Sequence, residues 1–192
     1  MDLLLQAWGG GFYLLNKIFF SLAEGKGAGA KRTLRLWGWS IYILGVPAWV
    51  LILVDKHDWI AAAIEAGGVP AMLLGLYNVW QQERPGLQQV FDRAARFCTY
   101  VALLLGLGAS LIDYGGLTSL SQLLEIGVMI GFLLGSYLLA KNKLSGWLCF
   151  MLMNASMATL MLIQHKPLLT LQQLVSLCFV LYGYGMARKR SS

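Results

Sequence analysis

Two residues inside one apolar run carry the clearest chemistry of this sequence. Asn154 follows Trp147 by seven positions, in Trp147-Leu-Cys-Phe-Met-Leu-Met-Asn154. In a helix, seven residues advance about 700°, so the indole and the amide lie roughly 20° apart on one face, with Met151 between them and Ala158 beyond. The amide donates and accepts, which suits sugar hydroxyls or a carboxamide. The indole offers a flat face to a ring or a cation. The plain alternatives are an interhelical hydrogen bond for Asn154 and an interfacial belt position for Trp147. Glu65 and Glu125 lie five or six residues inside the outer ends of their runs, and Gln172 and Gln173 fall at similar depth. They line an outer vestibule or sit solvated at headgroup level. Lys17, beside Asn16, is read most simply as snorkelling to the interface, with a cavity-facing charge as the alternative.

These polar groups matter because their surroundings are so apolar. Of 192 residues, 58% are hydrophobic and 12% charged, with a mean hydropathy of +0.64. A soluble domain of this size cannot cover that much apolar surface. The net charge of +6 does not form a nucleic-acid stripe, because the basic residues fall in short clusters between apolar runs. Cys98, Cys149 and Cys178 lie in or beside apolar runs without a CxxC pair or a histidine cluster, so they imply neither a disulfide nor a metal. No GxGxxG after a strand, Walker, HExxH or GxSxG element occurs, and nothing supports an enzyme or a bound cofactor. The first run is no removable leader, since Asp2 replaces a basic start and Asn16 and Lys17 interrupt its centre.

The elements that position these residues are helices. Apolar runs predict an all-α integral membrane protein with seven transmembrane spans near 3–22, 36–54, 59–80, 97–112, 120–140, 144–163 and 168–187. The fourth is short, and Asp92, Arg93 and Arg96 suggest that it continues as an amphipathic stretch. Seven spans put Lys26, Lys31, Arg32, Arg35, Arg84, Arg93, Arg96, Lys141, Lys143, Arg188, Lys189 and Arg190 on one face. The other face keeps only Lys56 and Lys166, with Asp2, Asp55, Asp58 and Asp113. Short basic loops stay in the cytoplasm, so the N-terminus is expected outside and the C-terminus inside. Gly127-xxx-Gly131-xxx-Gly135 reads as a helix-packing stripe. Gly45-Val46-Pro47 reads as a place for the second span to break or hinge.

The chain also resembles itself. A shift of 108 residues lays Gly38-Trp39 on Gly146-Trp147 and His57 on His165, and places Val46 opposite Asn154. A shift of 107 lays Tyr77 on Tyr184 and Glu65 on Gln172. Together these suggest two parallel three-helix repeats joined by a linker helix, a 3+1+3 arrangement. The segments are 1–82 for the first repeat, 83–116 for the linker with helix 4, and 117–192 for the second repeat and basic tail. Such architectures put a substrate near the midplane, between the units.

The second half resembles the bacterial nicotinamide riboside transporter family, often called PnuC. The resemblance rests on Leu124-Glu125-Ile126-Gly127, Tyr137-Leu138-Leu139-Ala140-Lys141, Gly146-Trp147 seven before Asn154, Leu171-Gln172-Gln173, and Leu181-Tyr182-Gly183-Tyr184. It covers roughly residues 120–188 well and the first half loosely. The resemblance implies the fold of sugar-transporting SWEET proteins, a bacterial inner-membrane location, and facilitated uptake of a vitamin or its riboside. It implies trapping of the substrate by a cytoplasmic vitamin kinase. It makes Trp147 and Asn154 binding residues, with Gln172 or Gln173 a third contact. The expected partners are a small-molecule substrate and the lipid bilayer, without nucleic acid, and self-association is left open. The competing classes are a membrane scaffold and a seven-helix receptor. A retinal protein needs a lysine in its last span, and 168–187 has none.

Overall fold

The computed structural model describes residues 2–81 and 88–191. Arg84 and the expected boundary at 82/83 lie outside the described residues. Every regular element among the described residues is helical: α1 Asp2–Glu24, α2 Ala28–Asp55, α3 Trp59–Gly67, α4 Val69–Trp80, α5 Gln88–Tyr114, α6 Leu120–Ala140, α7 Ser145–Ile163 and α8 Pro167–Ser191. In hydrocarbon, a helix satisfies its backbone polar groups within one segment, which is why long apolar runs take this form.

Six of these rods are long and apolar enough to cross a membrane: α2, α3 with α4, α5, α6, α7 and α8. The expected seventh span, α1, is not among them. It is 23 residues long, but Gln6, Asn16, Lys17 and Glu24 dilute its apolar content. As expected, α5 runs past the fourth apolar run, from Gln88, and carries Asp92, Arg93 and Arg96 on its first turns.

The expected break in the second span does not occur. α2 is helical through Pro47 for 28 residues. A single proline removes one donor, and the tightly packed neighbours on either side hold the helix on course. Gly45 lies so close to the Tyr13 ring that a Cβ there would approach Cε1 to 2.7 Å. The real break is at Gly68, between α3 and α4, just before Pro70. Proline has no N–H to continue the ladder, and it sits in the first turn of α4 where none is needed. A Cβ on Gly68 would approach Phe132 of α6 to 2.6 Å, so the break is also a contact point.

The helices form a closed ring. α1 packs on α2, α2 on α3 and α4, α4 on α6, α6 on α7, α7 on α8, and α8 returns to α1. α5 lies outside that ring, against α3, α4 and α6. The expected glycine stripe of α6 packs on α7. A Cβ on Gly131 would stand 2.5 Å from the Cys149 carbonyl oxygen, and one on Gly127 would stand 2.5 Å from Ser156 Oγ. Backbones this close exclude side chains and let α6 and α7 hold one another rigidly.

Three helices, α2, α6 and α7, end in the same main-chain turn; after α6 the amides of Lys141, Asn142 and Lys143 donate to Tyr137, Leu139 and Leu138, with Asn142 at φ 55°. After α2, the amides of Lys56, His57 and Asp58 donate to the carbonyls of Ile52, Val54 and Leu53. After α7, those of Gln164, His165 and Lys166 donate to Leu160, Leu162 and Met161, each position 108 residues on. His57 has φ 60° and His165 φ 55°, so both histidines close their helices in the left-handed region.

Candidate functional site

Inside the ring, the side chains of α1, α2, α6 and α7 meet around Lys17. That lysine is 1% exposed, which corrects the snorkelling expectation. It stands seven residues before the end of α1, roughly 10 Å of helix from the nearer terminus. Its Nζ lies 4.0 Å from the Phe150 ring centroid, 4.4 Å from Tyr42 and 5.9 Å from Tyr13. It donates to Asn16 Oδ1 at 3.0 Å, and Asn16 Nδ2 donates to the Gly38 carbonyl at 3.0 Å. No carboxylate pairs with it among the described residues. Three aromatic faces and one amide oxygen therefore supply its surroundings.

The same cluster reaches Asn154. α7 presents Trp147, Phe150 and Asn154 inward, at the three- and four-residue spacing that stacks side chains on one helical face. Asn154 is 0% exposed. Its Nδ2 donates to the Phe150 carbonyl of its own helix at 2.7 Å, and its Oδ1 is buried without a partner among the described residues. An unpaired buried amide oxygen costs free energy, about 1–3 kcal/mol, unless a ligand or water completes it. Among the described residues, no hydrogen bond from this amide reaches another helix. Tyr42, stacked on Trp39 at 6.2 Å, shares a 3.1 Å hydrogen bond with Ser136 of α6 and closes the far wall.

Trp147 is 2% exposed, so it is no lipid-facing belt residue. One edge of the ring meets Gly183 of α8, where a Cβ would overlap it. Another part lines a cavity of about 520 Å³ at the end of the bundle that carries the C-terminus. Lys31, Arg32 and Arg35 of α2, Lys143 of the α6–α7 turn and Arg190 of α8 line it too, with Glu24 as its one carboxylate. Glu24 bonds Lys31 at 2.6 Å and also pairs with Arg35. Burial alone would raise the Glu24 carboxyl, but Arg35 and Lys31 beside it outweigh burial and hold it below its usual range. Arg35 bonds Asn142, and Arg32 caps the end of α4 by donating to the carbonyls of Val79 at 3.3 Å and Trp80 at 2.9 Å.

The other expected site residues are dispersed. Met151 is partly buried and packs against the core. Gln172 is committed to structure: its Nε2 donates to the Gly10 carbonyl at 2.6 Å, tying α8 to α1. Gln173 is half-buried one position on. Glu65 accepts from the Tyr13 hydroxyl, and Tyr13 is one of the rings around Lys17, so Glu65 joins the cluster through a single side chain. Glu125 is exposed and accepts from Tyr114 at 3.4 Å, away from the cluster. Sequence reading missed Tyr13, Tyr42 and Phe150 as companions of Lys17. A local signal existed for one of them: Tyr13 lies four residues before Lys17, on the same helical face.

The arrangement joins a buried polar cluster to a cavity at one end of a helical ring, through the inward face of α7. The chain has no match among the curated proteins or the solved structures compared with it. A family model, Nicotinamide mononucleotide transporter, matches residues 29–189, from the first turns of α2 to the end of α8. That match covers most of the chain and carries a non-enzymatic transport role in a multi-pass membrane protein. With its apolar spans around a polar interior, the chain belongs to the nicotinamide mononucleotide transporter family of membrane proteins.

Proposed function

We propose that the chain facilitates uptake of nicotinamide riboside or a closely related vitamin or nucleoside across a bacterial inner membrane. On this reading α1 is the seventh span, the N-terminus is outside and the C-terminus is cytoplasmic, as the charge partition favours. α1 to α4 and α6 to α8 are the two parallel units, and α5 is the linker. Two observations support the pairing. The turns after α2 and α7 both put a histidine in the left-handed position, 108 residues apart, where the otherwise identical turn after α6 has Asn142. The contact of α1 with α8 has its counterpart in that of α4 with α6, as a two-fold axis through the ring requires. The two units rock about the midplane cluster, and a cytoplasmic vitamin kinase would trap what arrives. The exposed Phe97, Leu104 and Leu105 of α5 face lipid or a second copy.

The observation that carries the reading is Asn154. Its amide is wholly buried, bonded only to its own helix, and keeps one acceptor free beside an aromatic cluster. A residue serving as interhelical glue would spend that acceptor on a neighbouring helix. A substrate hydroxyl or carboxamide would fill it, while Trp147 stacks the ring. Glu65, through Tyr13, would be a further polar contact, with Gln173 as another, and Gln172 would have to leave Gly10 to join them.

The test measures uptake of labelled vitamins into vesicles, together with binding and melting of Asn154→Leu and Trp147→Phe in one detergent. Asn154→Leu should weaken substrate binding by about 5- to 150-fold, equivalent to about 1–3 kcal/mol. Unchanged affinity for every transported compound, with reduced melting, would assign Asn154 to packing and remove the site.

A further inference from the structure

The central cluster is built around a cation without a counter-ion. Lys17 is buried, and its hydrogen bond goes to Asn16 Oδ1, a neutral acceptor. The carboxylate joined to the cluster, Glu65, is bonded to the Tyr13 hydroxyl and makes no ion pair with Lys17. The lysine Nζ instead faces the rings of Phe150, at 4.0 Å, and Tyr42, at 4.4 Å. Ring faces stabilise an ammonium and give a neutral amine little, so the geometry is that of a charged side chain. Packing alone does not require that charge. A methionine of similar length would fill the space without the cost of burying an ammonium. Phe150 turns its ring to Lys17 and its carbonyl to Asn154 Nδ2, so a single residue separates the cation from the amide whose Oδ1 is unpaired among the described residues. The family match begins at residue 29, so α1 and its lysine are no part of what that match describes.

We infer that Lys17 sets the charge specificity of the site: it admits an uncharged ring compound and rejects a permanently cationic one, such as a pyridinium. The inference rests on the transport reading and narrows it to the uncharged members of the class proposed there. Lys17 need not touch the substrate to act. Neither water nor a counter-ion screens a buried charge, so it is felt over distance. At an effective dielectric of about 20, two like charges within about 10 Å of one another weaken binding by more than tenfold. A cationic ring would also find the faces of Tyr42 and Phe150, where its charge is best received, already taken by the ammonium. An uncharged ring meets neither obstacle, and its hydroxyl or carboxamide still completes Asn154. Specificity of this kind comes from a repulsive element set against the wrong ligand.

The experiment compares two compounds that differ chiefly in ring charge: nicotinamide riboside, a pyridinium, and its dihydro form, whose ring is neutral. Binding to the full chain in detergent is measured beside uptake of both, and of the labelled vitamin panel, into vesicles. The wild-type chain should bind the dihydro form about tenfold tighter or more. Lys17→Met, which keeps the side-chain length and removes the charge, should raise affinity for the pyridinium by about tenfold or more and change that for the dihydro form by less than about threefold. Lys17→Arg retains the cation and should retain the discrimination. Lys189→Gln removes a charge outside the cluster and should leave both affinities unchanged. Melting curves show which variants are folded, and the wild-type ratio decides alone if one is not. A lysine that only held the helices together would lower both affinities in parallel. That parallel loss, equal wild-type affinities, or uptake of any permanently cationic panel compound as efficiently as the uncharged ones overturns the inference and leaves the transport reading standing. Vesicles that take up none of the panel fail the transport reading, and the inference falls with it.

Discussion

Trp39 and Trp147 occupy matching places with different neighbours. Each indole rests on a glycine 36 residues on, Gly75 and Gly183, so near that a Cβ would overlap the ring. Each is almost wholly buried. Around Trp39 the space is closed by Phe20, at 4.7 Å between centroids, and by Tyr42. Around Trp147 it opens onto the basic cavity. Farther along the two helices, Val46 is buried and apolar where its counterpart Asn154 is buried and polar with an unpaired oxygen. The seat of the indole is common to both halves, while the chemistry beside it is confined to the second. On the proposed reading, the packing of the indole is kept at both positions and only the second is released for binding.

The largest effect that separates the halves should come from the indoles themselves. Trp39→Ala should cost about 3–5 kcal/mol, the usual loss for a fully enclosed large side chain. Trp147→Ala should cost a similar amount of stability, its ring being as enclosed, and should lose substrate binding as well. Melting curves of the two variants, with binding measured alongside, decide the matter. Equal destabilisation with no binding difference would make the two seats equivalent and end the functional asymmetry.

A smaller effect should follow from moving the amide. Val46→Asn places a polar group where the first half has an apolar wall, and should cost about 1–3 kcal/mol because its amide meets no prepared partner. The destabilisation should persist with substrate present. Rescue of the Val46→Asn melting point by substrate would show that the first half also offers a ligand to its interior, and the comparison would lose its second term.

How much of this was legible in the sequence depends on the range of the interaction. The apolar runs place six rods, and the glycine stripe of α6 announces its packing on α7, because both signals are local and periodic. That Trp147 and Asn154 share one face of α7 follows from helical spacing alone. Lys17 was misread because its burial is decided by Tyr42 and Phe150, which come from two other helices. Gln172 was placed as a site residue and is held by the Gly10 carbonyl of α1, a contact 162 positions away. Pro47 suggested a break that packing suppresses, whereas Gly68 with Pro70 produces one that apolar content conceals. Glu125 is exposed, which agrees with either of its two readings, a vestibule wall or a solvated headgroup-level position, since residue count does not reveal azimuth.

The smallest effect tests whether the halves share backbone geometry and not only composition. His57 and His165 both adopt positive φ, 60° and 55°, in turns with the same three hydrogen bonds. A side chain with a Cβ is strained there and glycine is not, the difference being of order 1 kcal/mol before glycine's extra unfolded-state entropy is subtracted. His57→Gly and His165→Gly should therefore each leave the protein as stable or slightly more stable, by the same sign and within a few tenths of a kcal/mol of each other. Each helix end is closed by main-chain bonds. Melting temperatures measured in one detergent and one buffer compare the two turns directly. Opposite signs at the two positions would mean that the turns agree by coincidence, and the duplication would then rest on the indole seats only.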